Sequence, residues 1–198
     1  MNVDSLSGKS REVVDMFERR RVDIRCLQEV SYRGQGTRVY GGEEKYKFWW
    51  SRSEEGRNGV RIMVKENLVE EVIEVKGLDD RMVQIAMVCG RKILQVFSVY
   101  VSQQGRAEKR NREFFEKLSD NIHDVPLKDF LMVAGDMNCH NGLTRDDSED
   151  VMRCFSFGVK NQEQENILGL CLVHKLRFIT LYYRKRWEHL ITYKSGGK

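Results

Sequence analysis

The stretch from Tyr46 to Val101 constrains this chain more than any other part of it. Five apolar-rich segments follow one another there: "YKFWW", "GVRIMVKENL", "EVIEVKG", "MVQIAMVCG" and "KILQVFSVYV". Each has the length of a strand and is rich in β-branched or aromatic residues, and the gaps between them are too short for helices. The junction Cys89-Gly90-Arg91-Lys92 reads as a tight hairpin. Such a procession commits the middle of the chain to sheets.

On both sides the hydrophobic period changes. Val13, Val14 and Phe17 mark a helical face over residues 9–21, with Ser7 or Ser10 as its N-cap. "VDIRCLQ" (22–28) then alternates as a strand does, and a Gly-rich loop leads into the run of strands. After that run, Phe114, Phe115, Leu118 and Ile122 share one side of a helix over residues 106–122. "DFLMVAGD" reads as a strand, residues 163–174 as a helix, and "RFITL" and "HLITYK" as short strands. This order is not a doubly wound repeat. It suits a mixed α/β domain in which sheets pack face to face under outer helices.

Length and composition agree with one domain. The 198 residues allow a substantial core, and one proline (Pro126) with no Ser/Gly-rich stretch leaves no evident linker. Apolar residues at 40% and charged residues at 32% describe a folded rather than a disordered chain. A net charge of +4 permits a nucleic-acid partner only if the charges cluster, and they do, in "ERRRVDIR", "GRAEKRNR" and "YYRKRW". Cys26, Cys89, Cys139, Cys154 and Cys171 form no CxxC pair, so they read as reduced thiols of an intracellular protein rather than a disulfide framework or zinc knuckle. No run approaches the ~18 continuous apolar residues that span a membrane.

Three predicted strands end in polar groups: Glu29, Tyr100, and Asp136 with Asn138. In "FLMVAGDMNCH" the apolar run turns polar with no intervening turn. Positions two apart in an extended strand point to one side, so Asp136 and Asn138 would stand together with Met137 directed back toward the core. Two neighbouring oxygen donors suit a hard cation such as magnesium, or a water and a phosphate oxygen. Plainer uses stay open: Asp-x-Asn as a self-capping turn, Glu29 in an exposed loop, Tyr100 in the core. "TRDDSED" lacks the pattern of a calcium loop, "KSGGK" lacks the setting of a phosphate-binding loop, and Phe48-Trp49-Trp50 reads as a hydrophobic strand.

Six motifs occur in order along the chain: "NVDSL" (2–6), "VDIRCLQEV" (22–30), "GVRIMV" (59–64), "VYVSQQG" (99–105), "GDMNCHNG" (135–142) and "LITYKSGG" (190–197). Together they resemble the endonuclease/exonuclease/phosphatase superfamily. Within it they are similar to the craniofacial development protein 2-like group and to the endonuclease domains of LINE-type retrotransposons. The resemblance implies a four-layer α/β/β/α sandwich of two mixed sheets flanked by helices, as a single domain over residues 1–198. By the same pattern Asn2 helps hold the phosphate and metal shell, and Glu29 binds metal. Tyr100 stands beside the scissile phosphate. Asp136 orients the attacking water and contacts the metal, and Asn138 binds phosphate. The implied cofactor is Mg2+, with Mn2+ as a substitute, and the implied reaction is hydrolysis of DNA backbone phosphodiesters.

The pattern also has departures. The superfamily carries a later Asp-Tyr pair, further strands and a catalytic histidine, and this sequence reaches Lys198 before any of them. His123, His140, His174 and His189 occupy none of the matching positions. Arg25 stands where an apolar strand residue is usual, and Ser102 where a proline is. The expectation is therefore a domain incomplete at its C-terminus, with closing strands missing and little or no nuclease activity. The alternatives are an inactive relative that binds nucleic acid or a protein, and a phosphatase of the same superfamily. Expected partners are DNA or RNA through the basic surface and a second copy through an exposed sheet edge, with no membrane and a nuclear location.

Overall fold

The computed structural model describes residues 21–30, 34–41, 45–53, 59–101, 108–138 and 162–179. Their strands form two four-stranded sheets. The first contains β1 (Ile24–Val30), β2 (Gly34–Gly41), β3 (Lys45–Ser53) and β4 (Gly59–Lys65), in the order β1-β4-β3-β2 and antiparallel throughout. The second contains β5 (Val72–Asp79), β6 (Met82–Cys89), β7 (Lys92–Tyr100) and β8 (Phe130–Asp136), in sequence order. It is mixed, because β8 runs parallel to β7 while the other pairs are antiparallel. The hairpin expected at residues 89–92 is present: Cys89 faces Lys92, and Gly90 at φ +62° supplies the positive φ that a two-residue connection needs.

The two sheets pack face to face through residues spaced by two. Val60, Ile62 and Val64 of β4 meet Val83, Ile85 and Met87 of β6, with Val96 and Tyr100 of β7. Fully burying each such aliphatic side chain stabilises the fold by about 1.5–3 kcal/mol, before the entropy of ordering it is subtracted. β4 and β6 are buried on both faces over almost their whole length, which explains why neither shows simple polar alternation.

The expected Gly-rich loop before β3 is instead strand β2. Its pairing partner decides this. Gly36 lies opposite Trp50, and a Cβ at Gly36 would come 2.5 Å from Trp50 Cζ2, so the indole covers the bare glycine backbone. Trp50 in turn faces Arg61 of β4, whose guanidinium carbon lies 5.5 Å from the ring centroid in a cation–π contact. This cross-strand row holds a sequence that has weak strand propensity of its own.

By its internal contacts the chain divides into two compact units. One holds both sheets, within Met1–Arg106 and Asp124–Asn138, and the other comprises Ala107–His123 and Cys139–Lys198. In the second unit, helices α1 (Glu108–His123) and α2 (Gln162–His174) pack together. Phe114, Leu118 and Ile122 recur every four residues on α1, and Ile167, Leu170 and Cys171 make the apolar stripe of α2; all are buried. Ser119 Oγ and His174 Nε2 join the helices at 2.8 Å. α2 stops where Lys175 takes a left-handed φ of +54° and Leu176 N–H bonds to Cys171 O at 2.9 Å, which satisfies an end carbonyl.

The helix expected over residues 9–21 and the strand "HLITYK" lie outside the described residues. Of "RFITL", Arg177 and Phe178 are irregular and Ile179 is in a short 3-10 turn, so the described part is not a strand. Among the described residues no helix is long and apolar enough to cross a membrane.

Candidate functional site

Chain direction brings the polar strand ends together. A 3-10 turn, Glu66–Glu71, carries the chain from the end of β4 to the start of β5, crossing from one sheet to the other. The start of β5 pairs with the end of β6, which pairs with the start of β7. The opposite end of the sandwich therefore collects the C-terminal ends of β1, β7 and β8 and the starts of β4 and β6. Glu29, Tyr100 and Asp136 all sit at that end. Near it, Ser98 Oγ donates to the Arg61 carbonyl at 3.0 Å, tying the second sheet to the first through a buried hydrogen bond.

Asp136 is held by an unusually close pairing of β7 with β8. Gly135 lies opposite Val99 and Asp136 opposite Tyr100. A Cβ at Gly135 would stand 1.9 Å from the Val99 carbonyl oxygen, so only glycine lets the two backbones meet here. Beyond the last strand pair, Val101 N–H donates to the Asp136 carbonyl at 2.9 Å. On its other side Tyr100 N–H donates to the Arg81 carbonyl at 3.0 Å. Backbone bonds thus pin both residues at the rim.

Asp136 and Asn138 do come together, though not by the alternation expected of a strand. β8 ends at Asp136, and Asn138 has a left-handed φ of +46°, which asparagine tolerates better than most residues. Asn138 N–H donates to Asp136 Oδ1 at 3.0 Å, and Asn138 Nδ2 donates to the Val101 carbonyl at 2.5 Å. This is an Asx turn: the carboxylate caps the backbone two residues on. The turn residue, rather than the pleat, sets the relative position of the two side chains. Both are half-buried, and among the described residues Asp136 Oδ2 has no hydrogen-bond partner.

The other expected site residues fare differently. Tyr100 is 5% exposed and its side chain belongs to the sandwich core. Glu29 lies on β1 where the ladder with β4 slips between Leu27 and Val30, so an irregularity rather than regular pairing ends that strand. Asn2 lies outside the described residues, as do "YYRKRW" and the first three residues of each of the other two basic clusters. Among the described residues no three or more His, Cys, Asp and Glu side chains come together.

What the site can do follows from its donors. The Asx turn aims a hard oxygen ligand from a rigid backbone, which fits a magnesium-type cation; such ions take one or two carboxylates and fill the remaining positions with water and substrate phosphate. Cys26 offers no thiolate. Burial pushes the Cys26 thiol up to about 11, against a smaller opposing effect of its hydrogen bond with Ser98, so it stays protonated at neutral pH. Sequence reasoning missed the Ser98–Arg61 tie and the close approach at Gly135. The second had a signal, a glycine immediately before the terminal aspartate of an apolar run.

Compared with known proteins, the structure matches the AP endonuclease LMAP from Leishmania major with a TM-score of 0.58 at 14% identity, over 87% of this chain and 65% of that one. The chain has the fold of the AP endonucleases. The endonuclease domain of TRAS1, a telomere-specific non-LTR retrotransposon, matches with a TM-score of 0.56 at 16% identity, over 87% of this chain and 68% of that one. In sequence, the chain is 24% identical over 195 residues to craniofacial development protein 2 of Bos taurus, which covers 98% of this chain and 32% of the relative. It thus spans about a third of that relative's length. No protein-family model matches the chain. The two packed sheets are the α/β sandwich expected from the superfamily resemblance.

Proposed function

We propose that the rim formed by the ends of β1, β7 and β8 is a phosphodiester-hydrolysing site of the DNA-endonuclease type. The observation that carries this reading is the Asx turn itself. It fixes a carboxylate and a carboxamide at the end of the half-exposed strand β8, in a fold that solved AP endonucleases and a retrotransposon endonuclease domain share. Asp136 would orient an attacking water and share a Mg2+ or Mn2+ ion with Glu29. Asn138, with Asn2, would hold the phosphate. The ion, when bound, supplies neutralisation of charge developing on phosphate oxygens. Tyr100, anchored in the core, would stiffen the strand end beside the scissile phosphate. A DNA substrate implies a nuclear location.

A second reading, nucleic-acid binding without hydrolysis, is favoured by the burial of Tyr100, since a ring 5% exposed offers a substrate little surface. One experiment separates the two. Supercoiled plasmid is incubated with the protein and Mg2+ or Mn2+, beside Asp136→Ala. Loss of a positioned acid–base group costs about two to four orders of magnitude in rate. Nicking that disappears in the variant supports hydrolysis, whereas plasmid binding with no nicking by either folded protein supports the second reading. Nicking that survives Asp136→Ala overturns the assignment of the site.

A further inference from the structure

The end of the sandwich opposite the rim carries a basic groove that the proposed chemistry does not use. Its volume is about 390 Å3, and Arg91, Lys92 and Lys128 line it together with Asp129. Two unrelated turns bring the cations together. The Gly90-Arg91 hairpin presents Arg91 and Lys92, and a turn closed by Asp129 N–H to the Pro126 carbonyl, at 2.9 Å, presents Lys128. Among the described residues neither Arg91 nor Lys128 has an ion-pair partner, and all three cations are exposed.

Two details give this groove more content than a solvated charge cluster. Asp129, its acidic wall residue, has Oδ2 engaged by Gln95 Nε2 at 3.0 Å, and Gln95 Oε1 accepts from Gln84 Nε2 at 2.9 Å. The carboxylate is thus turned to a glutamine ladder on the sheet rather than to the lysines. Lys92 Nζ lies 4.6 Å from the centroid of the Phe130 ring, which is 51% exposed. That contact holds one ammonium in place and leaves a large aromatic face open beside it. Cations that track phosphates next to an open aromatic face are the combination that binds single-stranded nucleic acid.

We propose that this groove is an auxiliary binding site for a single-stranded nucleic-acid segment. Arg91, Lys92 and Lys128 contact its phosphates and Phe130 stacks on a base. The inference rests on the reading of the chain as a nucleic-acid-processing domain. The groove and the rim stand apart by the length of β7, roughly 25–30 Å at the strand rise per residue. The site therefore anchors a flanking segment and does not touch the reacting phosphate.

The test measures fluorescence anisotropy of a labelled 20-nucleotide single strand, without divalent metal, across a salt series. It compares the wild type with Arg91→Glu/Lys92→Glu/Lys128→Glu and with the milder Arg91→Gln/Lys92→Gln/Lys128→Gln. Circular dichroism confirms that each is folded. The expected result is at least a tenfold loss of affinity at low salt in the charge-reversed protein. The slope of log affinity on log salt should fall by about 2 in the glutamine variant, since each phosphate contact contributes roughly 0.7. Phe130→Ala should weaken single-strand binding more than duplex binding.

Unchanged affinity in a folded variant overturns the proposal, and so does absence of single-strand binding by the wild type. Loss of binding to anionic phosphatidylserine vesicles with DNA binding intact overturns it in favour of a membrane surface. The Asp136→Ala nicking result is read separately. Groove variants that lose binding while nicking is insensitive to Asp136→Ala refute the rim and leave the groove standing; the converse pattern refutes the groove alone.

Discussion

Replacing Gly135 by alanine tests the argument that a close approach of two strands positions the candidate site. The added Cβ would stand 1.9 Å from the Val99 carbonyl oxygen, where real contacts essentially never fall below 3.0 Å. The strands must therefore separate locally by more than about 1 Å, or the backbone must twist away. The φ of +157° at this residue adds strain for any side chain. Separation on that scale breaks the neighbouring Val101 N–H to Asp136 O bond of 2.9 Å and loosens the next rung of the ladder.

One or two lost buried hydrogen bonds at about 1 kcal/mol each, with about 1–3 kcal/mol of backbone strain, predict a destabilisation of roughly 2–5 kcal/mol. For a chain of this size that lowers Tm by roughly 4–20 °C. Thermal and urea unfolding followed by circular dichroism measure it. Gly169→Ala is the internal control, because a Cβ there meets nothing within 4 Å and alanine favours the helix it sits in. The two substitutions should move stability in opposite directions. A Gly135→Ala protein within about 0.5 kcal/mol of wild type would refute the claim that this approach is tight, and with it the account of how Asp136 is placed.

Asn138 carries both a left-handed backbone and an amide bond to Val101, and two substitutions separate them. Asn138→Gly keeps the conformation and loses the bond, whereas Asn138→Ala loses both, so alanine should be the less stable by about 1 kcal/mol in urea midpoints; equal midpoints would count against the strain. His174 titrates below its ordinary 6.5, first because burial disfavours its charge and second because His123 lies close. Its neutral form favours the folded state, so the contribution is complete above pH 6.5 and lost as pH falls through the lowered value. Unfolding midpoints should fall more steeply below pH 6.5 in wild type than in His174→Gln, and parallel curves would refute this.

Much of the fold was legible because its signals are local. β4, β6 and β7 are dense in Val, Ile and Met at strand length, and the Cys89–Lys92 hairpin has its glycine where the turn needs one. α1 announces itself by an apolar residue at every fourth position. β2 was not legible as a strand. Its glycines are poor strand formers, and the Trp50 ring lying over Gly36 supports a pairing that the sequence of β2 does not announce. Mixed pairing was implied by the superfamily resemblance rather than by residue pattern, and it holds only for the second sheet, where β8 joins β7 in parallel; the first sheet is antiparallel throughout.

The candidate site divides along the same line. Position at the end of an apolar run singled out Asp136 and Asn138, a self-capping turn stayed open beside a site, and the superfamily resemblance supplied the site roles. Their geometry came from elsewhere: a turn hydrogen bond, a left-handed residue and a carbonyl of β7. The groove shows the contrast most sharply. Arg91 and Lys92 are an ordinary pair of surface cations in the chain, and Lys128 belongs to another turn altogether. Local pattern determines which segments become strands and helices, since propensity and period act over a few residues. Which side chains share a site is decided by pairing and packing between distant segments, and that information exists only once the sheets have formed.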